Sequence, residues 1–422
     1  IIIPQRDTGF FGQTEINFED KIIGTVGIRG DKSTNNGDVD KTYYYPKANL
    51  AVNFHQFDFF GEGAVSETKL RVAYGEAGRF SNFRDRFSLM NAQFIGGISG
   101  ISVANFRGNP DIEPEQQKEL EYGLDFGLFD NRISLEVTLY NKKIDDLLIE
   151  ADVPTSSGFT TTVKNAGELE NNGVELGLDW AVIRTENFSW TTNIKWWTNE
   201  SEITRLDVPS FTEGGFAASL GTFLIEEGSS ATQIVGTFIA SDFTAAEIAL
   251  LDPDGDGLIV LGDAEPDYQM TWFNNLTYKN WDLSFLWHWK KGGDNINLTT
   301  LLTDLAGTSF DYDDFGVDPT GQMTNGRFRA GRAFSDAKLV IEDASYIKLR
   351  EIGLYYTFPE GLIKFTDMVR VGISGRNLIN IFDYNSYDPE VSNFGNNVLG
   401  NNVEVTPYPA SKFVNFHLNV NF

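Results

Sequence analysis

The chain has 422 residues, 60 of them acidic and 33 basic, for a formal charge of −27. Nucleic acids are recognised through clustered Lys and Arg, so the charge argues against them as partners. It argues equally against docking on an anionic leaflet through a basic patch; outer-membrane lipid is expected to be met through apolar surface instead. There is no cysteine, hence no disulfide, thiolate metal site or cysteine nucleophile. No apolar run reaches about 18 residues, so no helix is expected to cross a membrane. The 34 Phe, 8 Trp and 41 Gly suit either a large soluble β protein or an outer-membrane barrel.

Taken in chain order, the sequence alternates with a period of two, the mark of strands. A first strand is predicted near 8–18. Leu120, Tyr122, Leu124, Phe126 and Leu128 alternate with Glu121, Gly123, Asp125 and Gly127. Ile133, Leu135, Val137 and Leu139 oppose Ser134, Glu136 and Thr138. The pattern recurs at Val174–Trp180, Phe188–Trp196 and Leu283–Trp289. From Tyr346 to Phe358 the apolar set switches from odd (Ile347, Leu349) to even (Ile352, Leu354), which predicts a β-bulge near Arg350-Glu351. The last strand places Val414, Phe416, Leu418, Val420 and Phe422 on one face and Asn415, His417, Asn419 and Asn421 on the other.

Connection lengths separate a soluble sandwich from a barrel. Six short turns are predicted near 19–21, 57–66, 130–131, 182–187, 279–281 and 359–367. Long stretches, 31–44, 77–118, 143–165, 199–268, 291–343 and 378–410, lie between them. Short turns on one side and long loops on the other are the pattern of an outer-membrane barrel with periplasmic turns and extracellular loops. Soluble domains seldom carry repeated loops longer than about 15 residues. The expected fold is therefore all-β, a transmembrane antiparallel barrel wall of about 13 strands. Bacterial barrels have even strand numbers, and both the first and last strands run toward the short-turn side. An ascending strand is thus expected before Ile1, and residues 1–422 are read as a C-terminal portion of a larger barrel.

The sharpest local motif lies in the 199–268 stretch. Asp252-Pro253-Asp254-Gly255-Asp256-Gly257-Leu258 to Asp263 sets carboxylates at positions 1, 3, 5 and 12 and glycine at 6. This is the spacing of an EF-hand calcium loop, in which the Leu258 carbonyl would supply the position-7 oxygen. Asp263 stands where Glu is usual. A helix is expected to enter through Ala245–Leu251; none is expected to leave, because Pro266 follows. Two readings stand side by side: a structural Ca²⁺ held by Asp252, Asp254, Asp256, Leu258 and Asp263, or a solvated acidic turn. No catalytic motif appears, and His55, His288 and His417 sit singly in separate strands. The tryptophans are expected mainly at the outer girdle, where amphipathic rings prefer the headgroup level; stacking platforms in the lumen are the competing assignment.

Several segments resemble the SusC/RagA-like TonB-dependent outer-membrane transporters of Bacteroidota. They are Leu70-Arg71-Val72-Ala73-Tyr74-Gly75-Glu76-Ala77-Gly78, Asn109-Pro110-Asp111-Ile112-Glu113-Pro114-Glu115 and Ala344-Ser345-Tyr346-Ile347-Lys348-Leu349-Arg350-Glu351. Gly375-Arg376-Asn377-Leu378, Tyr387-Asp388-Pro389-Glu390 and Tyr408-Pro409 follow in the family's order. Lys348 stands where Arg is more usual. The resemblance implies a 22-stranded barrel with an N-terminal plug, of which this chain would supply the last 13 strands. It also implies import of oligosaccharides or peptides with a SusD-like surface lipoprotein, TonB being contacted by an N-terminal region outside this sequence. The acidic motif stands where the family often carries D-x-N-G-D-G, which favours a structural role in an extracellular loop. The alternatives are a structural subunit of a larger outer-membrane assembly, and a passive porin or adhesin.

Overall fold

A computed structural model describes residues 5–60, 63–361, 365–394 and 402–422. Thirteen strands form one sheet in strict sequence order. They are β1 (Asp7–Phe18), β2 (Ile22–Ser33), β3 (Tyr43–Asn53), β4 (Val65–Arg79), β5 (Glu115–Leu128), β6 (Ile133–Asp145) and β7 (Gly167–Arg184). Then come β8 (Phe188–Leu206), β9 (Pro266–Tyr278), β10 (Trp281–Gly292), β11 (Tyr346–Thr357), β12 (Met368–Ile381) and β13 (Phe413–Asn421). Every neighbouring pair is antiparallel, as at β1–β2 and β12–β13. Among the described residues β1 and β13 do not pair with each other, so the sheet is an open wall. Asp7 lies at the long-loop end of β1, opposite Ser33, and Asn421 at the short-turn end of β13, opposite Met368. Ile1 lies outside the described residues.

The six short turns fall where the alternation breaks. Positive φ at Glu19, Asp20, Phe129, Asp130, Asn131 and Lys279 reverses the chain within a few residues, as tight hairpins require. Asn280 closes its turn by donating from Nδ2 to the Thr357 carbonyl at 2.7 Å.

Register turns the alternation into two surfaces. Phe18, Ile22, Val52, Leu70, Leu124, Val137 and Leu176 are successive cross-strand partners. The row continues through Trp196, Met270, Trp289, Ile347 and Ile381. The opposite face is polar: Arg71, Gly123, Thr138, Glu175, Trp197, Gln269, Lys290 and Tyr346 are partners in the same way. Apolar-out and polar-in is the pattern of a wall between lipid and an aqueous lumen. Phe11 and Phe416 are 80% and 83% exposed, which water would penalise and hydrocarbon would not. Asn274, on the outer face, is fully buried and accepts from Trp190 Nε1 at 2.9 Å.

The predicted bulge is present. β10 and β12 both skip Arg350 in their pairing with β11, passing from Leu349 to Glu351. The extra residue lets Arg350 and Glu351 both reach inward while Leu349 and Ile352 stay outward.

The long connections carry their own structure. Short strands at Phe211–Glu213, Thr222–Ile225, Gln233–Gly236 and Ile259–Asp263 form a four-stranded sheet. Three helices, α1 (Ala245–Leu251), α2 (Leu298–Leu305) and α3 (Asn325–Arg332), lie among them. Phe223, Ile234, Ala264, Ile296, Leu298, Leu301, Val340 and Val403 form an apolar core within these connections. Arg329 of α3 holds α2 through paired hydrogen bonds to Asp304 (2.5 and 2.9 Å) and reaches Asp311 (2.6 and 2.9 Å).

Candidate functional site

The acidic motif begins at the end of α1. Thr244 caps that helix: its hydroxyl accepts from the Glu247 amide at 3.3 Å, and Glu247 accepts from the Thr244 amide at 2.7 Å. The helix ends at Asp252, and Gly255 and Gly257 take φ of 74° and 83°, a region open to glycine. The chain curls so that carboxylate oxygens of Asp252, Asp254 and Asp256 lie within 4.8 Å of one another. Asp252 Oδ2 accepts from the Gly257 amide at 3.1 Å, and Asp256 Oδ1 accepts from the Leu258 amide at 2.8 Å. Asp252 Oδ1 is shielded from solvent and has no partner.

Asp263 is not brought to the other three. It ends the strand Ile259–Asp263, paired with Gln233. Its Oδ1 accepts from the Thr232 hydroxyl at 2.6 Å and from the Glu265 amide at 2.8 Å. The entering helix stands as expected, and a strand follows in place of an exiting helix. The donor set is three carboxylates around one point with an unpartnered oxygen among them, a set that fits a hard cation.

A second cluster lies on the lumenal face where β10 and β11 meet the last long connection. Lys348 is 1% exposed, although it sits in a strand. Its Nζ pairs with Asp388 and lies 2.6 Å from Glu390 Oε2. Arg350 Nη1 donates to Glu390 Oε2 at 2.6 Å, and Arg350 Nε to His288 Nδ1 at 3.2 Å. Tyr346 donates its hydroxyl to Glu390 Oε1 at 2.6 Å. Gln269 Oε1 lies 3.1 Å from His288 Nε2, and the Trp197 ring stacks on His288 at 6.1 Å. The Tyr-x-Lys-x-Arg run thus clasps Asp388-Pro389-Glu390 against the wall. Both segments stand out in the sequence, but 40 residues separate them and no periodicity links them. The available signal was three long polar side chains on one strand face with an Asp-Pro-Glu downstream.

The tryptophans sort by register. Trp180, Trp190, Trp196, Trp272, Trp281, Trp287 and Trp289 pair with residues of the apolar face. Trp197 is turned to the lumen.

An open antiparallel wall, apolar outside and polar inside, with long structured connections at one end, defines part of an outer-membrane β-barrel. Residues 2–218 match the family described as TonB dependent receptor-like, beta-barrel, and the chain belongs to it. TonB-dependent receptor P3 of Formosa agariphila is 26% identical over 98% of this chain and 45% of its own length. TonB-dependent receptor SusC of Bacteroides thetaiotaomicron is 24% identical over 95% of the chain and 42% of its own length. The structure of the RagAB peptide importer in its open-open state superposes with a TM-score of 0.78 at 20% identity, covering 99% of this chain and 47% of that one. The barrel is of the SusC/RagA type, and the chain spans about half the length of the curated relatives it matches.

Proposed function

We propose that this chain supplies part of the wall and the extracellular connections of a TonB-energised importer. Its cargo is oligosaccharide or peptide, and a SusD-like surface lipoprotein caps its mouth. The observation that carries this reading is the polar inner face with a loop segment, 388–390, clasped onto it by Tyr346, Lys348 and Arg350. A loop segment pinned inside the lumen gives the shaped, partly closed entrance that an importer uses. The RagAB neighbour is titled a peptide importer, which supports peptides as one cargo class. Trp197, stacked at the lumen, gives a flat face of the kind that sugars also use. The test is growth of a deletion strain on peptides or oligosaccharides as sole nutrient, together with affinity purification of the tagged barrel. Loss of growth on one class, with a co-purifying surface lipoprotein, is expected. Unchanged growth on both classes favours the structural-subunit alternative.

The same reading includes a calcium ion at the acidic turn, held by Asp252, Asp254 and Asp256 and bracing the 207–265 connection. The three convergent carboxylates and the unpartnered Asp252 Oδ1 support it. Leu258 and Asp263 completed the spacing in sequence; with Asp263 bonded to Thr232, three carboxylates carry the proposal. Calcium titration beside an Asp254→Ala, Asp256→Ala double variant tests it. Protease sensitivity of that connection should fall with calcium in the parent only; equal cleavage throughout leaves the solvated turn.

A further inference from the structure

The lumenal face changes character at its extracellular end. On β5–β8 successive lumenal rows read Glu121, Tyr140, Gly173, Asn199 and then Glu119, Lys142, Asn171, Ser201. The next row toward the long connections reads Gln117, Ile144, Leu169, Ile203. An aqueous lumen calls for polar side chains, so three aliphatic residues side by side need another reason. Leu169 and Ile203 floor a cavity of about 620 Å³. Connection 146–166 supplies Ile149 and Val163 to its lining, and connection 207–265 supplies Phe211 and Ile225. Rigid elements hold it open. One side is a three-stranded sheet, in which Leu148–Asp152 pairs with Thr161–Asn165, and Thr161 and Thr162 pair with Phe106 and Arg107. The Leu148 amide donates to Glu115 Oε1 of the wall at 3.0 Å, which fixes that sheet to the barrel. A volume of this size, mostly apolar with a few polar groups, is the form of a ligand site.

Two arginines on the same lining keep their donors unused. Arg79 is the cross-strand partner of Glu115, yet its guanidinium stands 3.9 Å from that carboxylate. Arg84 lies over the Phe106 ring, 3.5 Å from Glu150 and 3.7 Å from Asp85. Among the described residues neither guanidinium makes a hydrogen bond, and the two side chains are 76% and 58% exposed. The carboxylates beside them are already engaged: Glu115 by the Leu148 amide, Glu150 by the Thr161 hydroxyl at 2.7 Å, Asp85 by the Asn82 amide at 2.8 Å. A free guanidinium fork matches a carboxylate in shape and charge. With Glu213 also on the lining, the cavity offers both signs of charge, as a peptide with free termini does.

We propose that this cavity receives the C-terminal residue of a short peptide, its apolar side chain inside and its carboxylate at Arg79 and Arg84. The proposal rests on the importer reading above and selects peptide from its two cargo classes. Sugar hydroxyls would lose their water against Leu169, Ile203 and Val163 and find no partner there. A neutral sugar also gives the arginines nothing to hold. A peptide's apolar side chain displaces only poorly held water from the same surface, which favours binding.

Calorimetry on the full-length transporter in lipid nanodiscs tests this with three synthetic hexapeptides. They are Gly-Ser-Gly-Ser-Gly-Leu, its C-terminal amide, and the same sequence ending in Ser. The amide and the Ser-ended peptide should each bind about tenfold more weakly than the first. Arg79→Gln with Arg84→Gln should erase the acid–amide difference and keep the Leu–Ser difference. Leu169→Trp, which fills the cavity, should erase the Leu–Ser difference. Equal binding of all three peptides overturns the proposal and leaves the aliphatic row as packing for the connections. So does binding of none, or an acid–amide difference that survives the double glutamine variant. Heat-shifted electrophoresis reports folding; if Leu169→Trp does not fold, Ile225→Trp on the opposite side is scored in its place. Uptake of the labelled peptides by whole cells separates the two readings. Equal TonB-dependent uptake of the Leu-ended and Ser-ended peptides overturns the site and keeps the importer. Uptake of neither, with the expected binding, keeps the site and overturns the importer.

Discussion

Lys348 on the wall and Asp388 on the last long connection form an ion pair whose side chains are 1% and 4% exposed. Forty residues separate them, so the pair fastens the connection to the strand from inside the lumen. Removing one partner strands the other charge, which in buried pairs costs about 3–5 kcal/mol. Lys348→Met should therefore free the 382–412 connection to limited proteolysis while the barrel keeps its heat-shifted migration. Protection equal to the parent would mean that Arg350 and Tyr346 suffice.

The outer face can be tested at the last strand. Leu418→Lys should destabilise folding in lipid by about 2–4 kcal/mol if the site is near the midplane. Asn419→Lys, one residue on and facing the lumen, should change stability little. Equal losses in a lipid refolding titration would show that the two faces are not distinct.

Adjacent tryptophans give a second reading of the same geometry. Trp196 shares its row with Leu176 and Met270, whereas Trp197 stacks on His288. In single-tryptophan variants, brominated lipid should quench Trp196 strongly and Trp197 weakly. A water-soluble quencher should reverse the order. Similar quenching of both by lipid would place Trp197 outside.

Acid should loosen one turn in the 293–345 connection. Desolvation pushes the Asp318 carboxyl up, but amides of Thr320, Met323 and Gln322 and the Thr320 hydroxyl outweigh it and bring it to about 2. A depressed carboxylate contributes stability above its unfolded pKa, about 3.9, and loses it as pH falls through the folded value. Protection of those amides, corrected for intrinsic exchange, should hold at neutral pH and drop between pH about 4 and 2. Asp318→Asn should be less protected at neutral pH and show no such step.

The wall was legible because its determinants are local. Period-two alternation needs only one strand, and the bulge at Arg350 announced itself as a parity switch. The tight turns near 19–21, 130–131 and 279–281 fall where predicted because each is a few residues with positive φ between apolar runs. The connections were opaque for the opposite reason. Lys348 meets Asp388, Asn297 meets Glu342, and Asn295 donates to the Pro389 carbonyl across long separations with no periodicity to reveal them. Asp263 shows the limit of spacing: it occupies position 12 of a calcium motif, yet the strand pairing of 259–263 with 233–236 gives its carboxylate to Thr232.

The apolar cluster around Phe223, Ile234, Ile296 and Val403 sits entirely in the connections, while the wall turns its apolar residues outward. The polypeptide therefore folds in two solvents under opposite instructions. Detergent exchange or lipid thickness acts on the wall and leaves the cap indifferent. Urea and salt act on the cap, as on any water-soluble domain, while the wall resists. Melting such a molecule should give two transitions, and the lower one would silence the entrance without releasing the protein from its membrane.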